Sequence, residues 1–275
     1  MKVLLVADEG YLGGAEISTS RLLAALVERG IECAAAVPKG SPYWGRLKER
    51  GIPLFPCELN DLKRTFSRGY PILRENSRLR RLIGDFGPTV IHTDSLWAAF
   101  FTLMAASRSD IPVVSSLHSY PEAHRALKRA IFAVLKRLIV RKCAHFIVFS
   151  EHMLNEIGGR YGFPIDKVSR VHHGIERDRL EERLSRVDWR RKHDIPAGAV
   201  VFICITRIHP EKGVMDFVEA ARIVMETDQD AFFVVAGEEV VTPLENLGFT
   251  KIIHRRLNEL GLMDRFRFLG FQEDV

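Results

Sequence analysis

The run Val200-Val201-Phe202-Ile203-Cys204-Ile205-Thr206-Arg207-Ile208-His209-Pro210-Glu211-Lys212-Gly213 decides how this chain is read. Its first six residues are apolar and mostly β-branched or aromatic, the composition of a strand buried on both faces in a parallel sheet. A short polar turn follows. From Val214 to Met225 the apolar positions Val214, Phe217, Val218, Ala221, Ile223 and Val224 recur at helical spacing. Arg207 is therefore expected at the carboxyl end of a buried strand, and Lys212 at the entry of the next helix. Open α/β sheets take ligands at that edge. A helix amino terminus adds unbonded N–H groups and partial positive charge. Two cations beside such a terminus make a site for a diphosphate. Taken singly, each reads more readily as a solvated loop charge; together, at this position, they read as the anion site.

The same pattern runs upstream. Lys2 to Ala7 is a buried strand, Asp8 to Gly14 a loop, and Ala15 to Arg29 a helix ended by Gly30. Further strands are expected at Cys33–Val37, Leu54–Cys57, Pro88–His92, Pro112–His118, His145–Phe149 and Val168–Val171. Helices are expected from Leu96 to about Ser107, and from Glu122 to Lys142. Ser150 has the side chain to cap a following helix. In the helix up to Lys142, Leu127, Ile131, Val134 and Leu138 fall on one side, read as inward. Arg125, Lys128, Arg129, Phe132 and Lys136 fall on the other. Downstream come a strand at 199–205, a helix at 213–226, a strand at Phe232–Ala236, a helix from about Leu244 to Leu260, and Phe266–Leu269. Strand–helix alternation of this kind gives an α/β protein of two Rossmann-like domains, 1–173 and 174–275. The second has too few strands for a usual sheet. The expectation is an incomplete domain, from a protein about 100 residues longer.

Composition narrows the class. Of 275 residues, 47% are hydrophobic and 27% charged, as in ordinary globular proteins. No run approaches the ~20 apolar residues of a membrane span. Val3 to Ala7 is too short and too soon followed by acids for a signal peptide. Cys33, Cys57, Cys143 and Cys204 are scattered, mostly in apolar surroundings, and read as reduced core residues of a cytoplasmic protein. Residues 1–173 carry 25 Lys/Arg against 16 Asp/Glu, and residues 174–275 carry 15 against 19. The basic half is suited to an acidic partner: anionic lipid, acidic glycan or nucleic acid.

Thr206-Arg207-Ile208-His209-Pro210-Glu211-Lys212-Gly213 resembles the arginine–lysine donor-phosphate motif of retaining GT-B glycosyltransferases, a family with many bacterial cell-envelope sugar transferases. Gly13-Gly14-Ala15-Glu16 resembles its glycine-rich loop. His118 after a strand, Ser150 opening a helix, Val171 to Ile175 at the domain junction, Ala236-Gly237 and Phe268-Leu269-Gly270 match in order and spacing. Four positions depart: His173 stands for the usual asparagine, Glu176 for aspartate, Thr206 for glycine, and Glu239 for a second glycine after Gly237. The family's paired glutamates, which would bind the donor's sugar and ribose, fall beyond Val275, so this chain is expected to transfer no sugar alone.

The resemblance implies transfer of a sugar, with retention, from a nucleotide-diphosphate sugar to a glycan or lipid-linked acceptor, and leaves nucleic acid out. It implies donor binding at Gly13, Gly14, Arg207, Lys212 and Gly237, and a sugar-contacting role for His118. His92 and Asp94, also at a strand end, are candidate acceptor contacts. No cofactor or metal is expected. Arg207, Lys212 and the helix terminus can stabilise a departing diphosphate, and Asp228-Gln229-Asp230 precedes a strand, at the edge of the sheet away from the ligand. Peripheral docking on an anionic membrane is expected from the basic helix face and the arginines of residues 63–81. A GT-B epimerase or phosphorylase, or a non-catalytic binding protein of the same fold, are the alternatives.

Overall fold

The structure is a computed structural model that describes residues 1–59, 70–120, 126–174, 186–239 and 248–272. The chain divides into two compact units, Met1–Arg177 and Asp178–Val275.

The first unit is a seven-stranded parallel sheet in the order β3-β2-β1-β4-β5-β6-β7. Its strands are β1 (Lys2–Val6), β2 (Glu32–Val37), β3 (Leu54–Pro56), β4 (Val90–Thr93), β5 (Val113–Ser116), β6 (His145–Val148) and β7 (Val168–Arg170). Successive residues of a strand point to opposite faces, and the core divides accordingly. On one face Val3, Leu5, Cys33 and Ala35 pack with Leu23 of α1 (Gly14–Glu28) and with Tyr43 and Leu47 of α2 (Pro42–Glu49). On the other face Leu4, Val6, Ile91, Val113, Phe146 and Val148 meet α3 (Tyr70–Phe86), α4 (Leu96–Ala105), α5 (Ala126–Lys142) and α6 (Glu151–Gly159). The chain leaves β1 towards β2 and returns through β4 on the other side, so β1/β4 is the switch point where such sheets open a crevice.

In the first unit two helices depart from expectation. Helix α2 had no counterpart in the pattern reading. Its start is nonetheless written locally: Ser41 caps it by accepting from Trp44 N–H (3.1 Å), and Pro42 sits at its first position. Helix α5 forms, but its expected inward side is wrong where its side chains are described. Val134 is 65% exposed and Leu138 41%, while Ile139 and Cys143 are buried. Lys136, expected outward, is half-buried and donates from Nζ to the Tyr161 carbonyl (2.7 Å). Packing against α4 and the turn after α6 selects the Ile139 stripe.

The second unit holds α7 (Arg186–Lys192), β8 (Val201–Ile205), α8 (Val214–Val224), β9 (Phe232–Ala236), α9 (Phe249–Glu259) and β10 (Phe266–Gly270). Among the described residues its sheet has three parallel strands, ordered β10-β9-β8. The strand buried on both faces is β9, not β8. Phe202, Ile203 and Ile205 are exposed, because β8 lies at the edge of this sheet. Ile208, Val214, Val218, Phe233, Val235, Ile253 and Leu257 form the core between sheet and helices. Both units are Rossmann-like, as the strand–helix alternation predicts.

Candidate active site

In the second unit the loop after β8 is stitched to the end of β9. Thr206 N–H donates to the Ala236 carbonyl and Ile208 N–H to that of Glu238, both at 3.0 Å. Gly237 permits this. Its φ is +143°, and a Cβ there would lie 1.8 Å from the Thr206 carbonyl oxygen, so no side chain fits. Ile208 is buried, which turns the neighbouring Arg207 outward. A short 3-10 turn, Pro210–Lys212, then leads to Gly213, whose φ of +70° again suits glycine and starts α8. Arg207 and Lys212 are both exposed. Among the described residues neither is paired with a carboxylate. Among the described residues no side chain caps α8, so its first N–H groups remain available. Asp216 lies in that first turn and shares the terminus.

The next helix along the same sheet edge is closed. Glu239 accepts from the N–H groups of Phe249 (2.8 Å) and Thr250 (3.0 Å) at the start of α9. These bonds, that of Thr250 first, hold its carboxyl below the usual carboxylate range. Glutamate in place of a second glycine is thus a helix cap. It leaves α8 as the open terminus near β8.

In the first unit a cavity of about 260 Å³ opens at the β1/β4 switch point. Asp8, Glu9, Glu16, Asp94 and His118 line it, with Tyr11, Trp97 and Tyr120 among its walls. Ser95 braces its floor, donating to Asp8 Oδ1 (2.6 Å) and accepting from Ala98 N–H (3.0 Å) at the start of α4. The glycine loop is shaped by Glu16, which folds back so that its Oε2 accepts from Gly13 N–H (2.8 Å). Burial pushes the Glu16 carboxyl up, against the backbone hydrogen bonds that favour its charge. A side chain on Gly13 would strike the Tyr11 ring and this carboxylate, at 2.8 and 2.9 Å. A side chain on Gly14 would meet nothing within 4 Å.

His118 lines this cavity and also a second one, of about 400 Å³, that includes Ser18, Arg21, Phe149 and His173. Its ring stacks on Phe149 (centroids 4.5 Å apart), which stacks on His173 (3.9 Å). His173 is tied to α1 through Nδ1 and Ser18 Oγ (2.7 Å). Burial, then the neighbouring His173 and His92, lower the His118 pKa to about 4. It is a neutral imidazole at pH 7, and among the described residues its buried Nε2 has no hydrogen-bond partner. His92 is only 6% exposed, bonds through Nε2 to Ser116 Oγ (2.8 Å), and is lowered to about 4 by burial. It lines the second cavity, together with Ser116 and His118. Asp94 lines the first.

The first unit therefore gathers His118, Asp94 and the loop of Gly13 and Gly14 near its switch point, with His92 beneath. The second gathers Arg207, Lys212 and Gly237 at the end of β8. The pattern reading missed Phe149, the aromatic walls and the folding back of Glu16. Phe149 could have been found: it ends a strand at the sheet edge that had singled out His118. Asp228 and Asp230 form a turn before β9, Asp230 N–H donating to Asp228 Oδ1 (3.0 Å), at the opposite edge from Arg207.

Comparison with known proteins agrees with this architecture. Residues 12–179 match Glycosyltransferase Family 4, and residues 185–275 match Glycosyl transferases group 1. The alpha-D-kanosaminyltransferase of Streptomyces kanamyceticus is 28% identical over 211 residues, 73% of this chain and 52% of that protein. The glycogen synthase of Mycobacterium tuberculosis is 27% identical over 183 residues, 63% of this chain and 42% of its own. The chain spans about half the length of these curated relatives. The crystal structure of Anabaena HepE in complex with UDP and glucose superposes with a TM-score of 0.79 at 17% identity, covering 100% of this chain and 70% of that one. With a switch-point cavity in one sheet, an arginine–lysine loop in the next, and these matches over most of its length, the chain belongs to glycosyltransferase family 4 and has the GT-B fold.

Proposed function

We propose that the protein transfers a sugar, with retention, from a nucleotide-diphosphate sugar to a glycan or lipid-linked acceptor, without a metal. The observation that carries this reading is the loop after β8. Arg207 and Lys212 stand exposed, free of carboxylate partners among the described residues, beside the uncapped start of α8. A diphosphate there would accept from both cations and from the helix N–H groups, which would stabilise it as a leaving group. His118, neutral and with an unused Nε2, is suited to a hydroxyl of the transferred sugar. Asp94 and the aromatic walls are suited to an acceptor. The proposed place of work is the cytoplasm, at the inner face of a membrane. No helix among the described residues is long and apolar enough to cross one.

The UDP complex of the structural relative makes UDP the first probe. Arg207→Ala and Lys212→Ala should each weaken UDP binding by about 1.5–3 kcal/mol, as for hydrogen bonds to charged groups, and leave uridine binding nearly unchanged. Titration calorimetry with both ligands decides it; equal losses for UDP and uridine would refute the phosphate role. Retention is checked by NMR of the product's anomeric configuration.

A further inference from the structure

We propose that the outer face of α5 is a docking surface for an anionic lipid bilayer. The inference deepens the proposed membrane location and names the surface responsible. Ala126–Lys142 contains six Lys/Arg and no Asp or Glu. Across its described half, Val134, Arg137, Leu138, Arg141 and Lys142 all face solvent. Positions three and four apart share a helix face, so these five form one continuous strip of two large apolar side chains among three cations. None of the three cations is paired with a carboxylate among the described residues.

The surroundings favour lipid over plain solvation. Solvated helix faces usually alternate charge sign and keep Val and Leu inward; here Val134 and Leu138 face outward beside the cations, in addition to the Ile139 stripe that faces the core. The carboxyl end of α5, which would repel a lipid phosphate, is covered. Lys167 Nζ donates to the carbonyls of Arg141 (3.3 Å) and Cys143 (3.1 Å). A groove of about 490 Å³ adjoins the strip, lined by Leu103, Ile111, Leu138 and Lys142, with Asp110 the single carboxylate among its described lining residues. Apolar groups that enter the headgroup boundary, ringed by cations that meet lipid phosphates, are what holds a helix in an interface. In the other basic stretch Arg74 and Arg81 are also exposed, but two of the described arginines are engaged within the protein. Lys63, Arg64 and Arg68 lie outside the described residues, Arg78 pairs with Glu75, and Arg80 donates to the carbonyls of Met104 and Ala105.

The test is co-sedimentation of the whole chain with vesicles of phosphatidylcholine, alone or with about one quarter phosphatidylglycerol. Binding should require the anionic lipid and fall between about 0.05 M and about 0.5 M salt. R137Q/R141Q and, separately, V134S/L138S should each lower partitioning about tenfold, with unchanged thermal midpoints because all four side chains are exposed. Hydrogen exchange across residues 133–142 should slow on anionic vesicles. Binding that ignores lipid charge, survives both double substitutions or is absent overturns the proposal. So does a chain that ignores vesicles but loses a dimer in V134S/L138S, which would make the strip a contact between copies. No sugar transfer enters these readings, so this proposal and the proposed activity fail separately.

Discussion

Gly237 and Gly14 belong to the two loops expected to meet the donor, yet the backbone asks different things of them. At Gly237 the φ of +143° and the Thr206 carbonyl leave no volume for a methyl group. Gly237→Ala should cost about 2–3 kcal/mol or more and displace the Arg207 loop, weakening UDP binding with it. At Gly14 the added methyl meets open space in the first turn of α1. Gly14→Ala should be neutral or stabilise by about 0.5 kcal/mol through the unfolded chain. Urea unfolding of both variants separates them, and equal losses would show that the two loops are held alike. The contrast was not legible in the sequence, where both read as glycines beside a ligand. Arg207 and Lys212 were legible, because a strand end and a helix start are local patterns. The role of Glu239 was not, because its partners lie ten and eleven residues on, at the start of α9.

Helix α5 shows where periodicity stops informing. Leu135, Ile139, Val140 and Cys143 form a second apolar stripe beside Val134 and Leu138. A sequence with two stripes predicts the helix but not its rotation, which contacts with other elements decide. The structure settles it by Ile139 in the core and Lys136 against Tyr161. Lys136 is then a brace between α5 and the turn after α6, with burial lowering its pKa. Lys136→Met removes the Nζ hydrogen bond to the Tyr161 carbonyl. It should destabilise the chain by about 1–2 kcal/mol while vesicle binding stays near that of the unaltered protein. A lipid-facing lysine would give the reverse: unchanged stability and weakened binding. Helix α2 teaches a related point. Its Ser41-Pro42 start was present in the sequence, but a helix of eight residues has too little periodicity to stand out.

At the scale of the whole molecule, the two units carry different titrating groups and should respond differently to acid. In the first unit, His92 and His118 are lowered from 6.5 to about 4, and His173 is lowered too, each chiefly by burial. A histidine whose folded pKa is depressed binds protons more readily when unfolded. Its contribution is therefore lost as pH falls from 6.5 towards 4, by roughly 3 kcal/mol for a fully excluded ring and less for the partly exposed His118. Glu16 opposes this: its carboxyl is raised, so its cost is relieved as pH falls towards 4.5. Among the described residues of the second unit the shifted acids are Glu219, lowered by Arg256, and Glu239, lowered by Thr250 N–H. Their contribution is present above 4.5 and lost only below it. Acidification from pH 7 to pH 5 should thus weaken residues 1–177 and spare residues 178–275. Urea titrations at each pH, sampled by a brief exchange pulse at one common pH, score peptides of the two units separately. The midpoint of the first unit should fall across that range, and His92→Gln, which keeps a donor for Ser116, should remove a large part of the fall. Midpoints that decline together above pH 5, or a decline indifferent to His92, would mean that the histidines beneath the switch-point cavity do not set the acid stability of this unit.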